Sequence, residues 1–411
     1  MQFSQVIGQK DLKTQLPHLI QQNRLSHALL FLGKEGSGAL SLARALAQYT
    51  VCEKVNGKNT TGNGQPVTKP SLFGEPEPLK TSEPSTINYQ LSTDSCGECP
   101  ACKKAALLIH PDIHFCYPVI PRKAGDKPIS TDYITEWREF IIKNPYGNSY
   151  DWLQFIGAEN KQGNITSEET RDIVRKMSLK SFEAEYKILI IWMPEALGKE
   201  GNKLLKLIEE PSPDTLFILV AENESLILPT ILSRTQLIKI PLLSKIEIEA
   251  ALELRESVSV QKAEQIAAIS EGNYHEALQQ LQHAEDDWEV LLRDWLNSIL
   301  KTGPLAQIKW IDEISKTGRE KQKQFLKYFT HLLQQTLRLK VTGNEGNTAI
   351  KNDFSLKLNK LCDLTQLEAI INELDQAAYY IERNANAKML FHALTIKLYH
   401  IISNKSVILM Q

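Results

Sequence analysis

Apolar residues form short unbroken runs in the first 240 positions and fall at helical spacing after them. The runs at His27–Leu32, Ile113–Pro118, Lys187–Met193 (KILIIWM), Thr215–Ala221 (TLFILVA) and Thr235–Ile240 are short enough for strands buried on both faces. Between them the spacing predicts helices over 10–22, over the stretch carrying Arg44 to Tyr49, over Thr166–Leu179, and over Lys199–Glu210, where Pro211 stops the chain. Strands alternating with helices predict an α/β domain with a mainly parallel sheet covered on both faces. Strand signals end near Ser244. Residues 244–283 read as short helices and 284–411 as longer ones, which puts boundaries near 242 and 284.

Two stretches interrupt the alternation. Residues 53–95 are rich in Gly, Asn, Pro, Ser and Thr with no sustained periodicity, which predicts a mobile insertion. Residues 119–164 are a second elaboration, in which Trp137 and Trp152 suggest partial packing.

A chain of 411 residues exceeds one core and implies two or three domains. Its 47 basic and 49 acidic residues exclude the strong basic bias of a protein that grips nucleic acid alone, so any DNA contact is expected to be local or shared with partners. MQFSQVIGQKDLK has no basic stretch followed by an apolar one, and no run of 18 apolar residues occurs. A soluble, cytoplasmic protein without membrane contact is the expectation.

The first chemistry lies at the end of the first strand. LLFLGKEGSGAL has the strand, glycine turn and helix of a phosphate-binding P-loop, with Gly33, Gly36 and Gly38 available for the turn. The working pattern needs a lysine for the outer phosphates and a Ser or Thr for Mg²⁺; Ala39 and Leu40 stand there instead. Backbone amides and a helix N-terminus alone hold phosphate weakly, so no ATP hydrolysis and little or no ATP binding are expected.

The second is SCGECPAC, which supplies Cys96, Cys99 and Cys102 at C-x₂-C-x₂-C. Cys52 can add a fourth thiolate, and four suit tetrahedral zinc. A ferredoxin pattern would need a further cysteine at position 106, which is Ala. Because 43 residues separate Cys52 from Cys96, His110 or His114 remains an alternative fourth ligand. No general base or open position is evident nearby, so the expected role is structural. Cys116 and Cys362 lack metal spacing and read as core residues.

Several motifs converge on one family. VIGQ (6–9), RLSHALLFLG (24–33), the cysteine group, HPD (110–112), NKLLKLIEEP (202–211) and LPTILSRT (228–235), in this order, resemble the delta-prime-type clamp-loader subunits of bacterial DNA polymerase III, an AAA+ family. The resemblance implies a RecA-like AAA+ domain over 1–241 with a zinc module at 52–102, a helical lid over 242–283, and a helical collar over 284–411 through which subunits form a ring. It places Trp192 where the family's ATPases carry the Walker B aspartate. His275, in GNYHEAL, falls where they carry the sensor 2 arginine. Ser233 and Arg234 match the family's SRC motif, with Thr235 replacing its cysteine, which makes Arg234 the candidate arginine finger for a neighbour's ATP.

The implied function is that of a non-hydrolysing component of the polymerase III holoenzyme that supports sliding-clamp opening and loading. Its partners would be gamma/tau-type ATPase subunits, a delta subunit, the clamp and, through the assembly, primer-template DNA. Two other readings are an active P-loop ATPase with an atypical site and a zinc-dependent nucleic-acid-binding module. In NKLLKLIEEP, Leu204, Leu205 and Ile208 share a face suited to packing on the sheet, with Lys203, Lys206, Glu209 and Glu210 outward.

Overall fold

The computed structural model describes residues 1–56, 92–123, 125–158, 161–282, 288–342, 358, 361–382 and 385–403. It contains two compact units, Met1–Gln279 and Gln280–Gln411.

The first unit is built on a five-stranded sheet of β1 (Ala28–Gly33), β2 (Ile113–Cys116), β3 (Lys187–Trp192), β4 (Thr215–Ala221) and β5 (Gln236–Ile240), in the order β2-β3-β4-β1-β5. Every neighbouring pair is parallel. β3 and β4 are buried at every position, which is why they read as continuous apolar runs. Alternation sends Phe31, Ile190, Trp192 and Ile218 to one layer of core and Leu30, Ile191, Phe217 and Leu219 to the other.

The first layer packs on α2 (Ala39–Thr50), α4 (Pro100–Ala106), α5 (Ile134–Lys143) and α6 (Ser149–Phe155); the second packs on α7 (Ser167–Met177), α8 (Leu205–Glu209) and α9 (Pro229–Leu232). Two further helices precede and interrupt this set, α1 (Lys10–Gln21) and the short α3 (Glu53–Asn56). After β5 come α10 (Lys245–Glu256), α11 (Val260–Ile269) and α12 (Tyr274–Gln282). A parallel sheet in this order, with helices on both faces and short helices after its last strand, is the RecA-like AAA+ arrangement.

Three expectations shift. The stretch expected to be α-helical from Lys199 begins as a 3₁₀ run, Pro194–Leu204, broken at Gly198 (φ 48°), and only Leu205–Glu209 is α-helical. Leu204 and Ile208 still reach the core beneath it. The described part of 119–164 contributes to the core: Trp137 and Trp152 are both buried, with their rings 5.2 Å apart edge to face. Of the 53–95 insertion, α3 and residues 92–95 are described, and residues 57–91 lie outside the described residues.

In the second unit, α13 (Trp288–Asn297), α14 (Pro304–Lys316), α15 (Arg319–Thr342), α16 (Leu364–Glu382) and α17 (Ala387–Ser403) enclose one core. Trp295 and Trp310 stack at 4.7 Å within a ring of Phe325, Phe329 and Phe391. Each indole N–H finds an acceptor, Trp295 at Thr395 Oγ1 (3.0 Å) and Trp310 at the Leu291 carbonyl (3.1 Å). Cys362 is buried here, and burial pushes its thiol up to about 11.

Candidate functional site

The P-loop cleft lies where β1 hands over to α2. Gly36 (φ 72°) and Gly38 (φ 85°) take left-handed conformations that make the turn. Close approach also demands glycine: a Cβ on Gly36 would lie 1.8 Å from Asn273 Oδ1, and one on Gly38 would lie 2.9 Å from the Tyr146 ring. All twelve residues of α2 are buried, Ala39 and Leu40 among them. Its N-terminus therefore opens onto protein.

What remains of the cleft is a cavity of about 40 Å³, bounded by Gly33, Gly36, Pro145, Tyr146, Trp192 and Glu222. That is room for roughly two or three waters, against roughly 300–1,000 Å³ for a typical small-molecule site.

Trp192 ends β3 at 4% exposure. Its ring lies 5.2 Å from Trp137 and 6.5 Å from Phe140, and Trp137 stacks on Tyr117 at 3.9 Å. The residue at the Walker B position is thus the floor of an aromatic cluster. The nearest downstream carboxylate in the chain, Glu195, is spent on structure, its Oε1 accepting from the N–H groups of Glu222 (2.7 Å) and Asn223 (2.9 Å). Arg44 of α2 is buried beside Ile141, and burial lowers its pKa to about 10.

His275, at the start of α12, lies between Glu35 of the P-loop turn and the start of α6. Its Nε2 is 3.3 Å from Asn148 Nδ2 and 3.6 Å from Glu35 Oε1, and its Nδ1 is 3.4 Å from Asp151 Oδ2. Tyr146, Asn148 and Asp151 carry no motif and were not among the sequence candidates. The signal that could have marked them is the cluster of tryptophans around them, which needs a buried partner surface.

Arg234 follows α9 and precedes the edge strand β5. Its side chain is about one-third exposed. The guanidinium donates through Nε to Glu209 Oε1, and through Nη1 to the Thr230 carbonyl (2.8 Å) and Ser233 Oγ (3.2 Å). Ser233 and Arg234 are thus brought together with the last residue of α8. The arrangement holds a cation in one orientation near the surface, with Nε and Nη2 both on Glu209 and Nη1 on Thr230 and Ser233.

The sulfurs of Cys52, Cys96, Cys99 and Cys102 all lie within 4.8 Å of one another. Those of Cys96 and Cys102 are 3.8 Å apart, and tetrahedral Zn–S bonds of ~2.3 Å imply S···S edges of about 3.8 Å. Backbone N–H groups of Cys96, Cys99 and Cys102 each donate to a preceding cysteine sulfur at 3.4 Å, a pattern that stabilises thiolates. Burial opposes ionisation of Cys96, but N–H donors from Cys99 and Glu98 outweigh it and draw the thiol down to about 7. Burial pushes Cys52 and Cys102 up. The donor set fits a closed Cys₄ metal centre.

Cys52 joins because α2 ends at Thr50, while Glu53 Oε1 accepts the Ala101 N–H (3.2 Å) and Lys54 pairs with Glu98. His110 and His114 are not in the sulfur group. His110 Nδ1 accepts from the Asp112 N–H (3.1 Å) and its Nε2 lies 3.2 Å from Glu183. Asp112 in turn accepts from the N–H groups of Phe182, Glu183 and Ala184, so HPD is a loop clasp. Cys116 is fully buried, as its reading as a core residue expects.

A family model described as DNA polymerase III, delta subunit, matches residues 8–69 and 148–244. Curated relatives include DNA polymerase III subunit delta' of Bacillus subtilis, 25% identical over 261 residues, covering 63% of this chain and 55% of the relative. Subunit delta' of Pseudomonas aeruginosa is 25% identical over 210 residues, covering 51% and 41%. Subunit tau of Bacillus subtilis is 25% identical over 340 residues, covering 81% and 46%. The chain spans about half the length of the curated relatives it matches. A solved DNA polymerase III gamma subunit-related protein of Thermotoga maritima aligns over 94% of this chain and 99% of its own, at 14% identity and a TM-score of 0.35.

These matches make the chain similar to DNA polymerase III subunits over part of its length. The named relatives divide between delta' and the tau and gamma subunits.

Proposed function

We propose that the chain is a non-hydrolysing, delta-prime-type subunit of a replicative clamp loader, which lends Arg234 to the ATP site of a neighbouring gamma/tau-type subunit. The observation that carries this reading is the cleft behind Gly36: Ala39, Leu40 and Trp192 stand at the positions of the lysine, hydroxyl and aspartate that hydrolysis needs, and the cavity left there is about 40 Å³. A subunit with no nucleotide of its own still serves a ring if its opposite edge completes a neighbour's site. Arg234, oriented by Glu209 and Thr230 and partly open to solvent, is suited to that. A finger supplied in trans is worth roughly 10³–10⁵ in turnover.

Cys52, Cys96, Cys99 and Cys102 would hold a structural zinc ion that fastens the end of α2 to α4. Assembly with a delta subunit, the sliding clamp and primer-template DNA belongs to the same reading, as does a cytoplasmic location; no helix among the described residues is long and apolar enough to cross a membrane.

The test is to mix the full chain with gamma/tau-type and delta subunits and measure clamp- and DNA-stimulated ATP turnover. Arg234→Ala should lower turnover at least tenfold (about 1.4 kcal/mol) while the subunits still co-elute. Unchanged turnover would remove Arg234 from the role.

A further inference from the structure

We infer that residues 145–151 are an internal ligand of the P-loop cleft, which fastens α10–α12 to the sheet in the way a bound nucleotide could. This deepens the nucleotide-free reading above but rests on the geometry of the cleft alone.

Tyr146 supplies the ring. It lies over Gly38, and its hydroxyl accepts the Ile7 N–H at 2.7 Å. On the other side it meets Tyr274 edge to face at 5.0 Å, and the Arg255 guanidinium lies 5.9 Å from its centroid. Tyr274 and Arg255 belong to α12 and α10, so one side chain spans the P-loop, the N-terminal segment and the helices after Ser244.

Asp151 supplies the charge. Asn148 caps α6 by accepting the Asp151 N–H with Oδ1 (2.8 Å), which aims its Nδ2 at His275 Nε2. His275 Nδ1 then faces the Asp151 carboxylate at 3.4 Å. A side chain at the sensor 2 position is thereby held by a carboxylate of the same chain.

The interface is sealed by the backbone as well, because the Tyr274 N–H donates to the Gly36 carbonyl at 3.3 Å. Asn273 also sits so close to Gly36 that no Cβ fits between them. Tyr146 and Asn148 are buried at 4% and 6% exposure, as is His275 at 4%. The segment is therefore part of the cleft's interior, and α10–α12 have a fixed resting place without nucleotide.

The experiment is amide hydrogen exchange on the full chain, comparing the unaltered protein with Tyr146→Ala/Asn148→Ala/Asp151→Ala and with Asp151→Asn alone. The triple variant should raise exchange at residues 272–278 and 36–42 roughly tenfold through local opening, leaving the amides of β3 and β4 protected. Asp151→Asn, which removes one charge at constant volume, should raise it about threefold at 272–278 and carries the test if the triple variant unfolds the sheet. Unchanged protection at 272–278 in Asp151→Asn, with either no change or a global loss in the triple variant, overturns the inference. Micromolar ATP binding by the unaltered chain would instead sink the proposed function, so the two failures are separable.

Discussion

Trp192→Asp puts an acidic residue back at the end of β3 and should destabilise the first unit without restoring nucleotide chemistry. Trp192 is 4% exposed and packs against Trp137 and Phe140. Truncating a buried aromatic of this size costs about 3–5 kcal/mol. The new carboxylate adds to that, because it sits among aromatic rings and must stay protonated or draw in water. A total of at least ~4 kcal/mol is a large part of the ~5–15 kcal/mol that holds an ordinary domain together.

With a urea m-value of about 3 kcal/mol/M, that total moves the midpoint of the first unit down by about 1.3 M. Circular dichroism reads it without depending on tryptophan emission. Trp192→Phe keeps most of the ring contacts and should shift the midpoint by about 0.5 M or less under the same conditions. A Trp192→Asp midpoint within 0.2 M of the unaltered chain would refute the reasoning, since it would mean that residue 192 faces water.

Three shorter expectations follow from the other sites. Denaturing the purified chain in the presence of a colorimetric chelator should release about one zinc per chain. Cys52→Ala should lower zinc affinity at least tenfold and His110→Ala should not, a contrast that equilibrium competition with a chelator measures. Asp112→Asn should cost about 2 kcal/mol at pH 7, because three backbone donors lose a charged acceptor. Burial works against the Asp112 carboxylate, yet those N–H groups hold its pKa below the ordinary 3.8. Its contribution is therefore complete above about pH 4 and lost as pH falls through the lower folded value; denaturation of the two proteins from pH 7 to pH 3 should show the gap closing only at the acid end.

The sheet was legible because its strands are buried on both faces, so KILIIW and TLFILVA are apolar without alternation. Their order in the sheet is not written in such runs; it came from the pairing itself. Helical spacing over Lys199–Glu210 misled, since a 3₁₀ run broken at Gly198 leads into it while the apolar positions keep a face for the core. In the site, the departure of Ala39 and Leu40 from the working P-loop pattern could be read directly. The sulfur centre was also readable despite the long gap, because thiolate number and C-x₂-C spacing constrain the metal more than chain distance does. Tyr146, Asn148 and Asp151 were not, since each acts through partners more than a hundred residues away: Ile7, Tyr274 and His275. Only folding brings those together, and the tryptophans at 137, 152 and 192 announced a shared core without saying what it displaces.

Isothermal titration of ATP with Mg²⁺ into the full chain tests most directly whether this P-loop has given up its nucleotide. The expected result is no saturable heat at micromolar ligand, because the cavity is about 40 Å³ and Ala39 and Leu40 stand at the lysine and hydroxyl positions of the P-loop pattern. A stoichiometric isotherm with micromolar Kd, about −8 kcal/mol, would contradict it.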